Sequence, residues 1–180
     1  MWYWDKQIVL KDGSQKMDFE SIQERLTPLA GMVAWGCVAG VGTGSMVSLE
    51  FGEKRPRAKP VKNPRLDPLI RNYEGEWSLY IQDAAWRLDG PEEVLCSSRS
   101  SNEAGGEMLQ GLHQLTDAVV TGVKLFKPGG DLLLVFSNGL KLTLFCDCMN
   151  EDEGDNYSVF APSFIFTVKP KSKWTLRNSM

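Results

Sequence analysis

Histidine is nearly absent from this chain. His113 is the only one, so any Ser-His or Cys-His nucleophile would have to be built around it. Neither partner is at hand: no Gly-x-Ser-x-Gly elbow occurs, and Cys37, Cys96, Cys146 and Cys148 lie in strand-like or apolar contexts rather than at helix starts, where a thiolate is stabilised. Long apolar runs are missing too. The longest, Leu132 to Phe136, falls far short of the ~20 residues that span a bilayer, so no membrane association is expected. Nor does one sign of charge dominate, since 20 Lys and Arg against 23 Asp and Glu leave a formal charge of −3, unlike the strongly basic balance of a dedicated nucleic-acid binder. The start, Met1 to Lys6, has no basic stretch leading into an apolar core, and Ile8-Val9-Leu10 is broken by Lys11 and Asp12. A signal peptide is therefore not expected, the mature chain is expected to begin here, and a cytoplasmic location with free thiols is the reading.

What is present is an ordinary globular composition. With 180 residues, 42% hydrophobic and 24% charged, the chain is neither collagen-like, disordered nor coiled-coil. A single domain spanning 1–180 is expected, since a chain of this length can bury roughly 70% of its unfolded surface without a staple.

Phe19, Ile22, Leu26 and Leu29 recur at helical spacing, which predicts a helix over Asp18 to Leu29. Asp18 is its N-cap, Ser21-x-x-Glu24 has capping-box spacing one turn later, and Pro28 ends or distorts it. Met32 to Ala39 and Ser45 to Phe51 read as a hairpin, with Val47, Leu49 and Phe51 on one face and Ser48 and Glu50 on the other. Gly52 to Asn72 abandons periodicity and reads as a long loop with Pro56, Pro60, Pro64 and Pro68. Trp77 to Ile81 and Ala85 to Leu88 read as a second hairpin, and Ser97 to Asn102 as a turn. A second helix is expected over Glu103 to Leu115, then strands over 118–126, 132–136 and 140–146. Asn138-Gly139 between two of them is a strong hairpin signal, because a type I′ turn needs positive φ at both positions. Phe164, Phe166 and Val168 form the last expected strand, ahead of a basic tail.

An internal echo organises these elements. Under a shift of 86 positions, Ile22, Leu26, Leu29, Val33 and Gly36 fall on Met108, Leu112, Leu115, Val119 and Gly122, and Val47-Leu49-Phe51 has a counterpart in Leu132-Leu134-Phe136. The expected fold is α+β, with antiparallel sheets and two helices, arranged as two α-β-β-β units over about 18–90 and 103–168 that share one core.

The chemistry-bearing motifs are weak. Gly40-Val41-Gly42-Thr43-Gly44-Ser45 lacks both the lysine of a P-loop and the third glycine of a dinucleotide fingerprint, and it precedes a strand, so it reads as a turn. Cys146 and Cys148 would share one face of a strand, but no further ligand pair completes a zinc site; no metal and no cofactor is expected. Asp147, Glu151, Asp152, Glu153 and Asp155 lack the spacing of a calcium loop, since position 12 counted from Asn150 is Ala161. Five uncompensated carboxylates in nine residues make instead a solvated loop open to a cationic partner. Seven basic residues against Glu53 and Asp67 give Gly52 to Asn72 a charge of +5, an alternative surface for phosphate backbones. Trp35, Trp77 and Trp86 read as core; Trp2, Trp4 and Trp174 read as edge or interface residues.

The run Leu26-x-x-Leu29-x-Gly31-x-x-x-Trp35-Gly36, followed by Gly40-x-Gly42-x-Gly44-Ser45 and Leu49-Glu50-Phe51-Gly52, resembles an uncharacterised family of small bacterial cytosolic proteins. Gly75-x-Trp77-x-Leu79-x-Ile81, Trp86-Arg87-Leu88 and Asp131-Leu132-x-Leu134-x-Phe136-x-Asn138-Gly139 are similar to its later blocks. The resemblance implies no catalytic residue. It implies an immunity partner of a polymorphic or contact-dependent toxin. The expected function is accordingly non-enzymatic: a module that covers the active site of a basic toxin, such as a nuclease. Its expected contact residues are Asp147, Glu151, Asp152, Glu153, Asp155 and Tyr157. The alternatives are a nucleic-acid binder using residues 54–71 and an enzyme of unrecognised type.

Overall fold

The computed structural model describes residues 18–179, so Trp2, Trp4 and the chain start lie outside the described residues. Its first element, α1 (Phe19–Leu26), begins where its cap dictates. Asp18 accepts a 2.7 Å hydrogen bond from the Ser21 N–H, satisfying a donor that the first turn leaves free. Ser21 lies inside that turn, so the Ser21–Glu24 spacing is not a cap. Pro28 cannot continue the ladder, and the chain tightens into a 3-10 turn, Thr27–Leu29.

β1 (Ala34–Val38) and β2 (Val47–Pro56) pair antiparallel, with Cys37 opposite Leu49. The glycine-rich segment between them is a turn, closed by the Thr43 N–H on the Gly40 carbonyl at 3.0 Å. The stretch expected as one long loop is partly regular: β2 runs on to Pro56, and a third helix, α2 (Pro68–Asn72), starts at a cap formed by Asp67, with Pro68 in its first turn. There follow β3 (Tyr73–Ile81), β4 (Ala85–Asp89), β5 (Val94–Ser97), α3 (Glu107–His113), β6 (Val120–Phe126), β7 (Asp131–Phe136) and β8 (Lys141–Phe145). The chain closes with β9 (Tyr157–Phe160), β10 (Phe164–Lys169) and β11 (Lys173–Asn178).

The fold is α+β with two antiparallel sheets, ordered β1-β2-β3-β9-β10-β11 and β5-β4-β8-β7-β6. β3 and β4 are therefore not a hairpin. They lie in different sheets, because residues 82–84 carry the chain across from one to the other. The segment expected as a basic tail is edge strand β11, whose Trp174 packs edge-on against Phe19 at 5.9 Å.

The internal echo is a two-fold arrangement with exchanged strands. Laying β1-β2-β3-β9-β10 over β6-β7-β8-β4-β5 reproduces the sheet order, and the registers coincide: Gly36 opposite Glu50 matches Gly122 opposite Val135, and each sits at a bulge. Val33 bridges Val119, its own counterpart, so the pseudo-axis passes between them. Around it the hydrogen bonds occur in matched pairs. Gly31 N–H to Val120 carbonyl (2.7 Å) mirrors Asp117 N–H to Ala34 carbonyl (2.7 Å), and both donors have positive φ. Even two buried aromatics correspond: the Trp86 Nε1–H donates to the Ser45 carbonyl at 2.8 Å, and the Tyr157 hydroxyl to the Gly130 carbonyl at 2.7 Å. Each unit gives three strands to one sheet and sends the next strands to the other, so neither unit completes a sheet from its own strands. Buried residues of both form one continuous cluster.

Candidate functional site

The acidic segment is the second crossover between the sheets, carrying the chain from β8 to β9. It is fastened to the first crossover: Gln82 and Ala84 donate to the Asn156 carbonyl (3.0 and 3.2 Å), Asp83 donates to the Asp155 carbonyl (3.2 Å), and Ala85 donates to the Asp147 carboxylate (3.2 Å). Asn156, which sequence reasoning missed, is the pin. It is fully buried, its Oδ1 accepts from Cys148 N–H, and its Nδ2 donates to the Lys169 carbonyl.

Of the six expected contact residues, Asp147, Glu151, Asp152 and Glu153 are exposed and Asp155 is half-buried. Tyr157 is a correction. Its exposure is 0%, because as the first residue of β9 it alternates with Val159 into the core. The Tyr157–Val159 alternation was a usable signal for this. The carboxylates are also not uncompensated: Glu151 takes Lys173 at 2.6 Å and Lys171 at 3.3 Å, and their hydrogen bonds and charge hold its carboxyl below the usual range. Glu153 accepts from the Cys148 thiol at 3.2 Å. Beside these charges two large apolar side chains stand in solvent, Met149 at 65% and Phe145 at 38% exposure.

Cys146 and Cys148 do not act together. Cys146 lies beyond the end of β8 with its thiol toward the Gly130 carbonyl, whereas Cys148 turns to Glu153. Burial and nearby carboxylates push both thiols up. Among the described residues no group of three or more His, Cys, Asp or Glu is placed to hold a metal ion. His113, at the end of α3, shares a shallow cleft with Cys37, but burial, with a further contribution from Cys96, pushes the Cys37 thiol up to about 12. That thiol is no nucleophile at neutral pH.

A second cleft, of about 500 Å³, lies on the outer face of the six-stranded sheet. Two rows of side chains cross this face: Glu50, Ser78, Phe160 and Ile165 in one, Ser48, Tyr80, Ser158 and Thr167 in the other. Glu50 is only 4% exposed. One oxygen takes the Arg57 guanidinium at 3.1 Å; the other takes the Gly75 N–H at 2.8 Å and the Ser78 hydroxyl. Arg57 also donates to the carbonyls of Ile70 (3.2 Å) and Tyr73 (2.9 Å) and to Glu74 (3.0 Å), tying the β2–β3 excursion over the sheet. Arg55 pairs with Glu76 at 3.2 Å on the rim. With both Glu50 oxygens engaged, this carboxylate builds the floor rather than abstracting a proton.

The basic stretch, whose alternative reading is a phosphate surface, thus spends much of its charge internally. Arg55 and Arg57 hold carboxylates, Arg71 donates to the Val61 carbonyl, and Lys54 lies 5.2 Å from the centre of the Trp35 ring. In comparisons with protein-family models, curated proteins and solved structures, nothing matches this chain.

Proposed function

We propose that the chain is a non-enzymatic binding protein that docks a basic protein partner on the acidic crossover. The partner would be a toxin domain whose active site it covers in the cytoplasm, which makes the chain a bacterial immunity protein. One observation carries the docking surface. Met149 and Phe145 stand exposed within a few residues of the exposed Asp147, Asp152 and Glu153 along the chain, the mixture of apolar anchors and charge that partner surfaces use. The carboxylates would speed encounter and set specificity, while Met149 and Phe145 would supply affinity through desolvation. The toxin itself rests on the resemblance of residues 26–146; the anchored backbone of the loop supports docking, since it presents these groups with little ordering entropy left to lose.

Tyr157 drops out of the contact set and Met149 and Phe145 enter it. The test is co-expression with the neighbouring gene's product, scored for rescue from toxicity and co-purification, followed by Asp152→Lys with Glu153→Lys and, separately, Met149→Ser. Charge reversal should slow association and flatten its salt dependence, and Met149→Ser should speed dissociation. Full rescue and unaltered kinetics in both variants would refute the assignment.

A further inference from the structure

The molecule contains its own control for the outer-sheet cleft, because the pseudo-two-fold places an equivalent face on the other sheet. There the row corresponding to Gly36, Glu50, Ser78 and Phe160 reads Gly122, Val135, Lys141 and Asp89. The scaffold thus needs no carboxylate at this register; valine serves. The connections differ as well. β7 and β8 are joined by the tight Asn138-Gly139 turn, whereas β2 and β3 are joined by residues 57–72, which raise a wall beside the sheet and place Arg57 on Glu50. Departures from a pattern the fold satisfies elsewhere mark sites.

The cleft's chemistry selects its occupant. Its charged lining is Glu50, Glu74 and Glu76 against Arg55 and Arg57, an excess of one negative charge. Arg57 already donates to Glu50 and Glu74, and Arg55 is ion-paired with Glu76 at 3.2 Å. Tyr80 donates its hydroxyl to the Met46 sulfur at 3.2 Å and so offers the cleft only lone pairs. The outer oxygens of Glu74 and Glu76 and the Tyr80 lone pairs are acceptors at the rim, and Phe160, at 40% exposure, and Pro162 add an apolar wall. We infer that this cleft binds a guanidinium group on a short apolar stem, the head bonded to the outer carboxylate oxygens and Tyr80, the stem and the plane of the head against Phe160. A guanidinium suits it better than an ammonium because it is planar, stacks on aromatic rings and brings five donors to acceptors spread around a cleft. The same chemistry occurs in a free guanidino compound and in an arginine side chain of a protein.

The experiment titrates the full chain, followed by NMR, with L-arginine, with the blocked acetyl-arginine-amide and with L-lysine. Saturable shifts in cleft residues with both arginine probes, and weaker binding of lysine, are expected. Tighter binding of free L-arginine identifies a small molecule as the source; tighter binding of the blocked form identifies a protein side chain. Glu76→Gln and Phe160→Ala, both at solvent-accessible positions and checked by thermal melting, should each weaken binding about tenfold, roughly one charge-assisted bond or one stacked cation. Absence of saturation with either arginine probe, or binding that ignores both variants, overturns the assignment. The acidic crossover lies at the other end of β9, so Asp152→Lys with Glu153→Lys should leave arginine binding unchanged, separating this site from the docking surface.

Discussion

Replacing Glu50 with valine, the residue its pseudo-symmetric position carries at 135, isolates what the buried ion pair does. The substitution removes the acceptor of three hydrogen bonds at once, from Arg57, Gly75 and Ser78. Breaking a buried pair by deleting one member typically costs about 3–5 kcal/mol, most of it from the stranded charge. Arg57 keeps Glu74 and two carbonyls, and its side chain is 21% exposed, so the low end applies, about 3 kcal/mol. For a chain of this size that corresponds to a fall in Tm of about 6–12 °C. Glu50→Val with Arg57→Leu removes the stranded charge as well as its partner, but also the Arg57 bonds to Ile70, Tyr73 and Glu74 and the acceptor of the Gly75 N–H, so it should recover only part of that loss, about 1 kcal/mol. The assay is equilibrium urea unfolding, with the midpoint and the slope m both recorded, since a constant slope assigns the change to stability. If the double variant loses as much as the single one, a stranded guanidinium is not the cause and the account of the cleft floor is wrong.

Tyr157→Phe should cost about 1 kcal/mol, the net worth of one buried hydrogen bond, and leave the acidic crossover's partner binding intact; a binding defect without a stability defect would restore Tyr157 as a contact residue. Gly75→Ala should destabilise by about 1–3 kcal/mol, because its new Cβ would lie 2.7 Å from the Phe51 backbone nitrogen and 2.5 Å from the Trp77 carbonyl; a melting curve like the parent's contradicts this. Burial pushes the Cys37 thiol up to about 12 and the Cys96 thiol up to about 11. The unfolded chain releases these protons near pH ~9 while the folded chain keeps them, so stability should be level below that pH and fall as pH rises from about 9 toward 12. In the same chain, iodoacetamide near neutral pH should label Cys96, 2% exposed, only after denaturant is added, and rapid labelling of that thiol in the native protein would refute the burial argument.

How far the chain could be read in advance depended on whether a signal was local. Asp18 as a cap and Pro28 as the helix end act within a few residues of themselves; Asn138-Gly139 also turns β7 into β8, but only Gly139 has positive φ, so the turn is not the type I′ expected. Asp67-Pro68 carried an equally local cap signal for α2, obscured by the surrounding prolines. The echo between Leu26-Leu29-Val33 and Leu112-Leu115-Val119 was legible because both copies fill equivalent core positions. Asp147, Asp152 and Glu153 were recognised as exposed charge. Glu50 was seen only as the polar side of an alternating strand, since nothing beside it in the chain announces that Arg57 will fold back over it.

Sequence alone determined most of the elements, though not α2, β5, β9 or β11, together with the α+β class and the repeat, because helix caps and period-two alternation are properties of short segments. Tertiary structure decided which strands became neighbours. Alternation in β3, β4 and β9 reads the same whichever sheet accepts them, and pairing is settled by contacts between residues far apart in the chain. That strand exchange turned the acidic loop into a fastened crossover, buried Tyr157 and left Glu50 at the floor of a cleft.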